Sequence, residues 1–375
     1  MHKKIHSGMM LTLLLISVLS LGFTIQSAKG EWTGTAYIRA DGSIDPPTAP
    51  IDRDGDLYTL TGNITSDADG IVVERDHIVI DGAGYTIRGP ASYPSEGIDL
   101  SGRTNVTVRN THIKSFYCGI YLWSSSNYNS ITGNSITNNG DGIELWESSN
   151  NSISGNNITN NSYDGILLGD SSNNNSISGN SVTTNYYGIN LYSSSNNSIS
   201  GNNITNNSNG IRIYRSSHNW VTDNNFTGNK WDGIWLHRSS NNTVVANNLM
   251  NNGFGIDLLL SSNNIVAVNS LVNNGFGISL SHSSGNTIEG NDLTVNSEAG
   301  IELYMSSQIS STITTSLVTQ LTSVLRCAIR LSGMAVILRV GTIGAISITV
   351  TVLTITVVQI KTFWVVMESL ILHTS

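Results

Sequence analysis

Residues Gly142–Asn161 read GIELWESSNNSISGNNITNN, and variants of this string return along most of the chain. Its opening Gly-Ile pair recurs at Gly97, Gly119, Gly142, Gly165, Gly188, Gly210, Gly233, Gly255, Gly277 and Gly300, about 22–23 residues apart. Self-similarity at such a period marks a stacked solenoid, in which each unit buries its apolar face against its neighbours. Within the unit, Ile143 and Leu145 are one residue apart, and Ile153 and Ile158 follow in two further short runs. Alternating β-branched residues punctuated by Asn, Gly and Ser read as three short strands joined by turns. Like strands stacked in register give parallel sheets with rungs ~4.8 Å apart. The expected fold is all-β, a single-stranded parallel β-helix solenoid of about ten rungs.

The polar half of the unit agrees. One Asn recurs at Asn134, Asn156, Asn180, Asn202, Asn224, Asn247, Asn269 and Asn291, and a second at Asn151, Asn174, Asn197, Asn219, Asn242, Asn264 and Asn286. Asn tolerates left-handed turns, and its amide both donates and accepts, so stacked copies can hydrogen-bond up the column. These columns are expected to be structural.

At the start, His2–Lys4 is basic, Met9–Phe23 is apolar and Ala28-Lys29-Gly30 supplies small residues. Residues 1–30 are expected to be a secretory signal peptide cleaved before Glu31, the alternative being an uncleaved anchor. Residues 31–94 read as an N-terminal cap and first strands, and 95–307 as the repeats. The net charge of −8, from 18 Lys and Arg against 26 Asp and Glu, disfavours a nucleic-acid partner. The two cysteines, Cys118 and Cys327, make no disulfide framework.

The tail, 308–375, breaks the pattern. From Gln308 to Ser375 there is neither Asn nor Asp. Val340–Ile360 is uncharged and long enough to span a bilayer as a C-terminal anchor. The preferred reading is a frameshift near Gln308. Taking the third base of each codon with the next two, Gln308–Thr319 can encode NIIYHNNFISNT, which continues the repeat. Resequencing the locus and finding no missing or extra base would remove that reading and leave the anchor.

The segments YIRADGSIDPPTAPI and IVVERDHIVIDGAGYTIRG, followed by GIxLxxSSNNSISGNNITNN units, resemble archaeal secreted proteins of the NosD-type family. The resemblance covers about Glu31–Ser307. It implies a right-handed β-helix related to pectin lyases, of the carbohydrate-binding and sugar-hydrolase type, on the secreted or cell-surface side. It also implies copper, as an accessory to maturation of copper sites. The residues themselves support no metal: His218, His237 and His282 fall at different places in the repeat, and Met250 and Met305 are isolated. Copper favours clustered His, Cys or Met. No cofactor is expected, calcium and copper having no ligand pattern behind them.

Alternation places Glu144 and Trp146 outside if Ile143 and Leu145 point in. The same outward positions collect Tyr121, Trp123, Tyr192, Tyr214 and Trp235. Flat rings flanked by carboxylates and amides suit sugars, which present apolar C–H faces and hydroxyl edges. Tyr121, Trp123, Trp146, Tyr192, Tyr214 and Trp235 are therefore the candidate carbohydrate-binding residues, although rings in this register also stack on one another without any ligand. The candidate catalytic residues are Asp141, Asp164 and Glu144, with a turn or strand-start role as the alternative for the aspartates. Carboxylates on neighbouring rungs would suit a retaining glycosidase. The expected function is a carbohydrate-binding or adhesive surface whose partner is a polysaccharide or surface glycan. A polysaccharide hydrolase or lyase is the second reading, and a copper-maturation accessory the third.

Overall fold

The computed structural model describes residues 32–313 together with the strand segments Arg330–Leu331, Ile337–Val340 and Ile348–Thr351. The expected signal peptide, Cys327, and most of both the shifted-frame tail and the 340–360 segment lie outside the described residues. Among the described residues every regular element is a strand, and no helix is long and apolar enough to cross a membrane.

The strands wind into a right-handed parallel β-helix of about eleven turns. Each turn carries one long strand, such as Asp141–Trp146, and two three-residue strands, such as Ser152–Ser154 and Asn157–Thr159. Long strands pair with long strands in a 14-stranded sheet, and the short ones form two continuous ladders. The register keeps like on like: Ile120↔Ile143, Ile143↔Ile166 and Ile166↔Ile189 in the long sheet, Ile131↔Ile153 and Ile136↔Ile158 in the short ladders. The core is this aliphatic column, with Ile143, Leu145, Ile153 and Ile158 all fully buried. Each such side chain contributes about 1.5–3 kcal/mol by leaving water, which a single turn could not collect without neighbours.

The coil begins earlier than the first Gly-Ile pair. Ala36–Ile38 and Ile71–Val73 already pair in parallel with the long sheet, so its first strands fall inside the 31–94 segment. At its other end, Ser310–Ile313 still stacks on the strand that starts at Thr287.

Four polar columns close the corners. Asn134 to Asn291 form one, as expected. The second runs Asn129, Asn151, Asn175, Asn197, and here the expected Asn174 is corrected: Asn175 is buried in the ladder, while Asn174 sits at φ 57° in the left-handed corner beside it. The turn following Gly169 holds one extra residue, so the register there steps from Asn151 to Asn175. A third Asn column, through Asn139, Asn161, Asn185 and Asn207, and a Ser column through Ser126, Ser148, Ser172 and Ser194 complete each corner. Each Asn Oδ1 accepts from the backbone N–H and the Nδ2 of the preceding rung, as Asn180 does from Asn156 at 3.0 Å each. Left-handed residues recur at the corners, for example Asn138, Asn160, Thr184 and Asn206 in one column, which accounts for the abundance of Asn.

The corner between long strand and Ser column varies in length. It holds Glu147 alone between Trp146 and Ser148, but Ser124 and Ser125 between Trp123 and Ser126, and Asp170 and Ser171 between Gly169 and Ser172.

Candidate functional site

The site is the outer surface of the long-strand sheet. Alternation within each long strand would place Asp141 inside with Ile143, yet the chain turns both Gly142 and Ile143 inward. A Cβ on Gly142 would meet the Gly165 carbonyl at 2.4 Å and Ile158 Cγ2 at 2.8 Å. That double inward step returns the preceding residue to the outer face. Three columns therefore run up the sheet. One holds Glu96, Cys118, Asp141, Asp164, Tyr187 and Asn209. The next holds Asp99, Tyr121, Glu144, Leu167, Asn190, Arg212, Trp235 and Asp257. The third has two runs, Trp123, Trp146 and Gly169, then Tyr192, Tyr214 and His237.

All three candidate catalytic residues meet on adjacent rungs in the N-terminal half of this face. Asp141 Oδ1 accepts the Asp164 backbone N–H at 2.8 Å, and Asp164 Oδ2 accepts Asn190 Nδ2 at 2.9 Å. Burial raises Asp141 to about 7, helped by the charge of Asp164 and opposed by that hydrogen bond. Burial also raises Asp164 to about 7, with Asn190 and Arg212 pulling down and Glu144 pushing up. Glu144 is raised by burial, although the Trp146 indole and the Cys118 thiol donate to it. Glu96 is raised by burial and by its contact with Asp69. Farther along the face, burial brings Asp232 to about 7 and Asp257 to about 6.

The sign of this linkage follows from proton affinity. These carboxyls bind protons more tightly folded than unfolded, so their contribution favours folding at low pH and is lost as pH rises from about 4 to about 7. Asp81, lowered by its bonds to Ala83, Asn110 and Arg109 despite burial, acts in the opposite sense, at the acid end. The melting temperature should therefore be higher near pH 5 than near pH 8, by an amount on the order of a few kcal/mol of stability. Thermal unfolding across that range checks it, and Asp141→Asn with Asp164→Asn should flatten the profile. A flat profile in the unmutated chain would contradict the assignment.

The aromatic candidates separate into two groups. Trp123 is half-exposed, at 50%. Trp146 is held down by its bond to Glu144 and lies over Gly169, where a Cβ would strike the indole at 2.5 Å. Tyr121 is half-buried among the carboxyls, which together with burial raise its hydroxyl. Beginning one rung beyond Asp164, Tyr192 and Tyr214 lie tilted against each other at 5.5 Å, Tyr214 meets His237 edge-on at 5.0 Å, and Trp235 stacks on His237 at 5.2 Å. Tyr192, Tyr214 and Trp235 thus belong to one cluster, and Tyr121, Trp123 and Trp146 to the carboxylate half. Glu96 was not singled out by sequence, although it directly precedes its Gly-Ile pair as Asp141 and Asp164 do. A separate shallow groove of about 390 Å³ lies along the corner lined by Asn185, Tyr186, Ser208 and Lys230, away from the carboxylates.

The described residues do not fit copper. Cys118 is buried, with its Sγ 3.3 Å from the Ile120 carbonyl and beside Glu144, while His218 and His282 sit in two different left-handed corners and His237 is packed between rings. Among the described residues no group of three or more His, Cys, Asp or Glu converges as a metal requires.

Two family models match the chain. Residues 60–232 match the periplasmic copper-binding protein (NosD) family, and residues 184–318 match the right handed beta helix region. No curated protein matches in sequence. Among solved structures, a double mutant of the periplasmic alginate epimerase AlgG is similar with a TM-score of 0.56 at 17% identity, over 74% of this chain and 83% of that one. A single mutant of the same epimerase gives 0.55 at 16%, over 75% and 84%. The Dettilon tailspike protein gives 0.50 at 15%, over 75% and 60%. At such identities the likeness is one of fold. By its repeats and register the chain is a right-handed parallel β-helix, of which residues 60–232 resemble the NosD family and residues 184–318 the right handed beta helix region.

Proposed function

We propose that the chain is a secreted or cell-surface β-helix that binds a polysaccharide on the outer face of its long-strand sheet. The observation that carries this reading is the side-by-side placement of the Tyr192–Tyr214–His237–Trp235 ring cluster and the Asp141–Glu144–Asp164 carboxyls on successive rungs of one sheet. These rings are half-buried, and a contiguous run of partly exposed rings on a polar surface marks a contact site. The names of the solved neighbours, an alginate epimerase and a tailspike, accord with a glycan partner, as the NosD family's name does with a place outside the cytoplasm. A flat, rigid sheet supplies such a partner with a preorganised row of platforms, so little ordering entropy is lost on binding.

Replacing Trp123 and Trp146 together by alanine should weaken retention on the bound polysaccharide by about tenfold or more, as expected for loss of aromatic contacts. Affinity electrophoresis of the full chain against a polysaccharide panel measures it. Intact retention in the double variant would refute this face as the contact.

One observation favours a second reading, hydrolysis. Asp141 and Asp164 stand on neighbouring rungs and burial raises each to about 7, so at neutral pH one protonated carboxyl could serve as acid and one ionised carboxylate as base or nucleophile. Release of reducing or unsaturated ends in the same assay, lost in Asp141→Asn or Asp164→Asn, would establish catalysis. Retention without products would leave a binding module.

A further inference from the structure

We infer that Arg212 and the rings around it form a receptor for an oxyanion carried on the glycan, a carboxylate or a sulfate ester. The inference rests on the glycan reading of this face and names the class of sugar it selects.

Arg212 is half-buried and, among the described residues, has no carboxylate within salt-bridge distance, Asp164 acting on it only from farther away. Arg39, Arg75, Arg103 and Arg109 each have a carboxylate oxygen within salt-bridge distance. Arg212 has no hydrogen bond or ion pair among the described residues. It is held instead by ring faces, with its guanidinium carbon 4.5 Å from the Tyr214 centroid, 5.3 Å from Tyr187 and 5.5 Å from Trp235. Cation–π contact holds a guanidinium in place and leaves its edge N–H groups free to donate.

The neighbours are short of partners as well. Arg212 Nε, Asn190 Oδ1 and His237 Nδ1 are buried polar atoms with no hydrogen bond. Asn190 is 6% exposed and spends its Nδ2 on Asp164, which leaves its oxygen as an acceptor beside the arginine. Buried polar groups are normally satisfied, so three unsatisfied ones on adjoining rungs are a concentration that a charged glycan would relieve, its oxyanion accepting from Arg212 and a sugar hydroxyl donating to Asn190 Oδ1. The register puts Asn190, Arg212 and Trp235 in one column and Tyr192, Tyr214 and His237 in the next. Three rungs at ~4.8 Å give a platform about 10 Å long, with ring faces for C–H surfaces and one cation at its centre.

Charge points the same way. The chain carries a net −8, yet Arg215 and Arg238 join Arg212 at this end of the face. Burial, then the charges of Arg238, Arg212 and Arg215, hold the His237 imidazole below its usual value. Carboxyls flank the platform on both sides, Asp164 before it and Asp232 and Asp257 after it, but Asp164 is already bonded to Asn190 and burial raises all three toward the neutral form. A planar guanidinium matches a carboxylate or sulfate through two parallel N–H···O bonds.

The test uses the full chain at low ionic strength and three polymers on one backbone: a polyuronate, its carboxyl-reduced neutral form and a sulfated derivative of that neutral form. At least one charged polymer should bind about tenfold or more tightly than the neutral one, the scale of a charge-assisted bidentate contact. A preference between the two charged polymers assigns carboxylate or sulfate. Arg212→Gln should remove the discrimination, and Arg212→Lys, which keeps charge but lacks the fork, should restore only part of it. Both variants are checked for an unchanged melting transition, and Arg212→Lys alone decides if Arg212→Gln fails to fold. Equal affinity for all three polymers, or discrimination that survives the substitutions, overturns the oxyanion receptor while leaving glycan binding in place. Binding of none of the three overturns the glycan reading itself.

Discussion

Gly165→Ala should destabilise the coil by more than about 3 kcal/mol, the scale of overpacking against an immovable neighbour. The added methyl would lie 2.5 Å from the Gly188 carbonyl oxygen, 2.7 Å from Val182 Cγ1 and 3.0 Å from Asn185 Nδ2. None of these can retreat cheaply. Gly188 lies in the long strand of the next rung, Val182 is core and Asn185 is locked in its ladder. The substitution therefore pushes two rungs apart along their shared hydrogen bonds. Gly155→Ala is the control: φ is +63° and nothing lies within 4 Å, so only the left-handed conformation is penalised, at about 1–2 kcal/mol. Thermal melts of both variants decide. Equal losses would mean that the Gly-Ile glycine serves conformation and not the approach of neighbouring rungs.

The second large effect is expected at Asn202→Ala. Asn202 Nδ2 donates to the Ile177 carbonyl at 2.9 Å, to the Ser200 carbonyl at 3.1 Å and to Asn224 Oδ1 at 2.9 Å. Its Oδ1 accepts from the Asn180 backbone N–H at 2.9 Å and Asn180 Nδ2 at 3.0 Å. Truncation leaves a buried N–H without its acceptor and buried carbonyls without their donor. Each orphaned group costs ~1–3 kcal/mol, so a loss of about 3–5 kcal/mol is expected. The adjacent Asn203 is exposed, and Asn203→Ala should stay within about 0.5 kcal/mol. Denaturant midpoints of the two variants measure the contrast. Indistinguishable midpoints would show that the ladder is ornamental.

Much of the fold was readable because its period is written in residues with one job each. Ile143 and Leu145 point inward as their alternation required, and the outward column from Asp99 to Glu302 has the expected register. Other features were hidden where geometry, and not residue type, decides. The Gly of each Gly-Ile pair marks the repeat, but its reason is the carbonyl of the next rung, which no single sequence displays. The run Asn173-Asn174-Asn175 offers three similar residues, and only the longer corner after Gly169 selects the last for the ladder. The third Asn column and the Ser column escaped notice for the same reason.

The site was legible as columns but not as contacts. Trp123 and Trp146 occupy equivalent positions, yet one stands half-exposed while the other is tied to Glu144 over Gly169. Asp141 and Asp164 read equally well as strand-start residues. Their proximity to Glu144 depends on the double inward step at Gly-Ile. Tyr214 and Trp235 were visible as outward residues, but the seating of the Arg212 guanidinium against them and Tyr187 was not.

The corner after each long strand, with one residue in some turns and two in others, separates what is fixed in this molecule from what is free. The ladders on either side keep their pairing whichever length is used, as the turn at Gly169–Ser172 demonstrates. That corner also borders the column of Trp123, Trp146, Tyr192 and Tyr214. Longer excursions there would rise as walls beside the platform without disturbing a single rung. Flat sheet and walled cleft are thus separated by insertions alone, and a scaffold of this kind can change its ligand by lengthening loops while its interior stays the same.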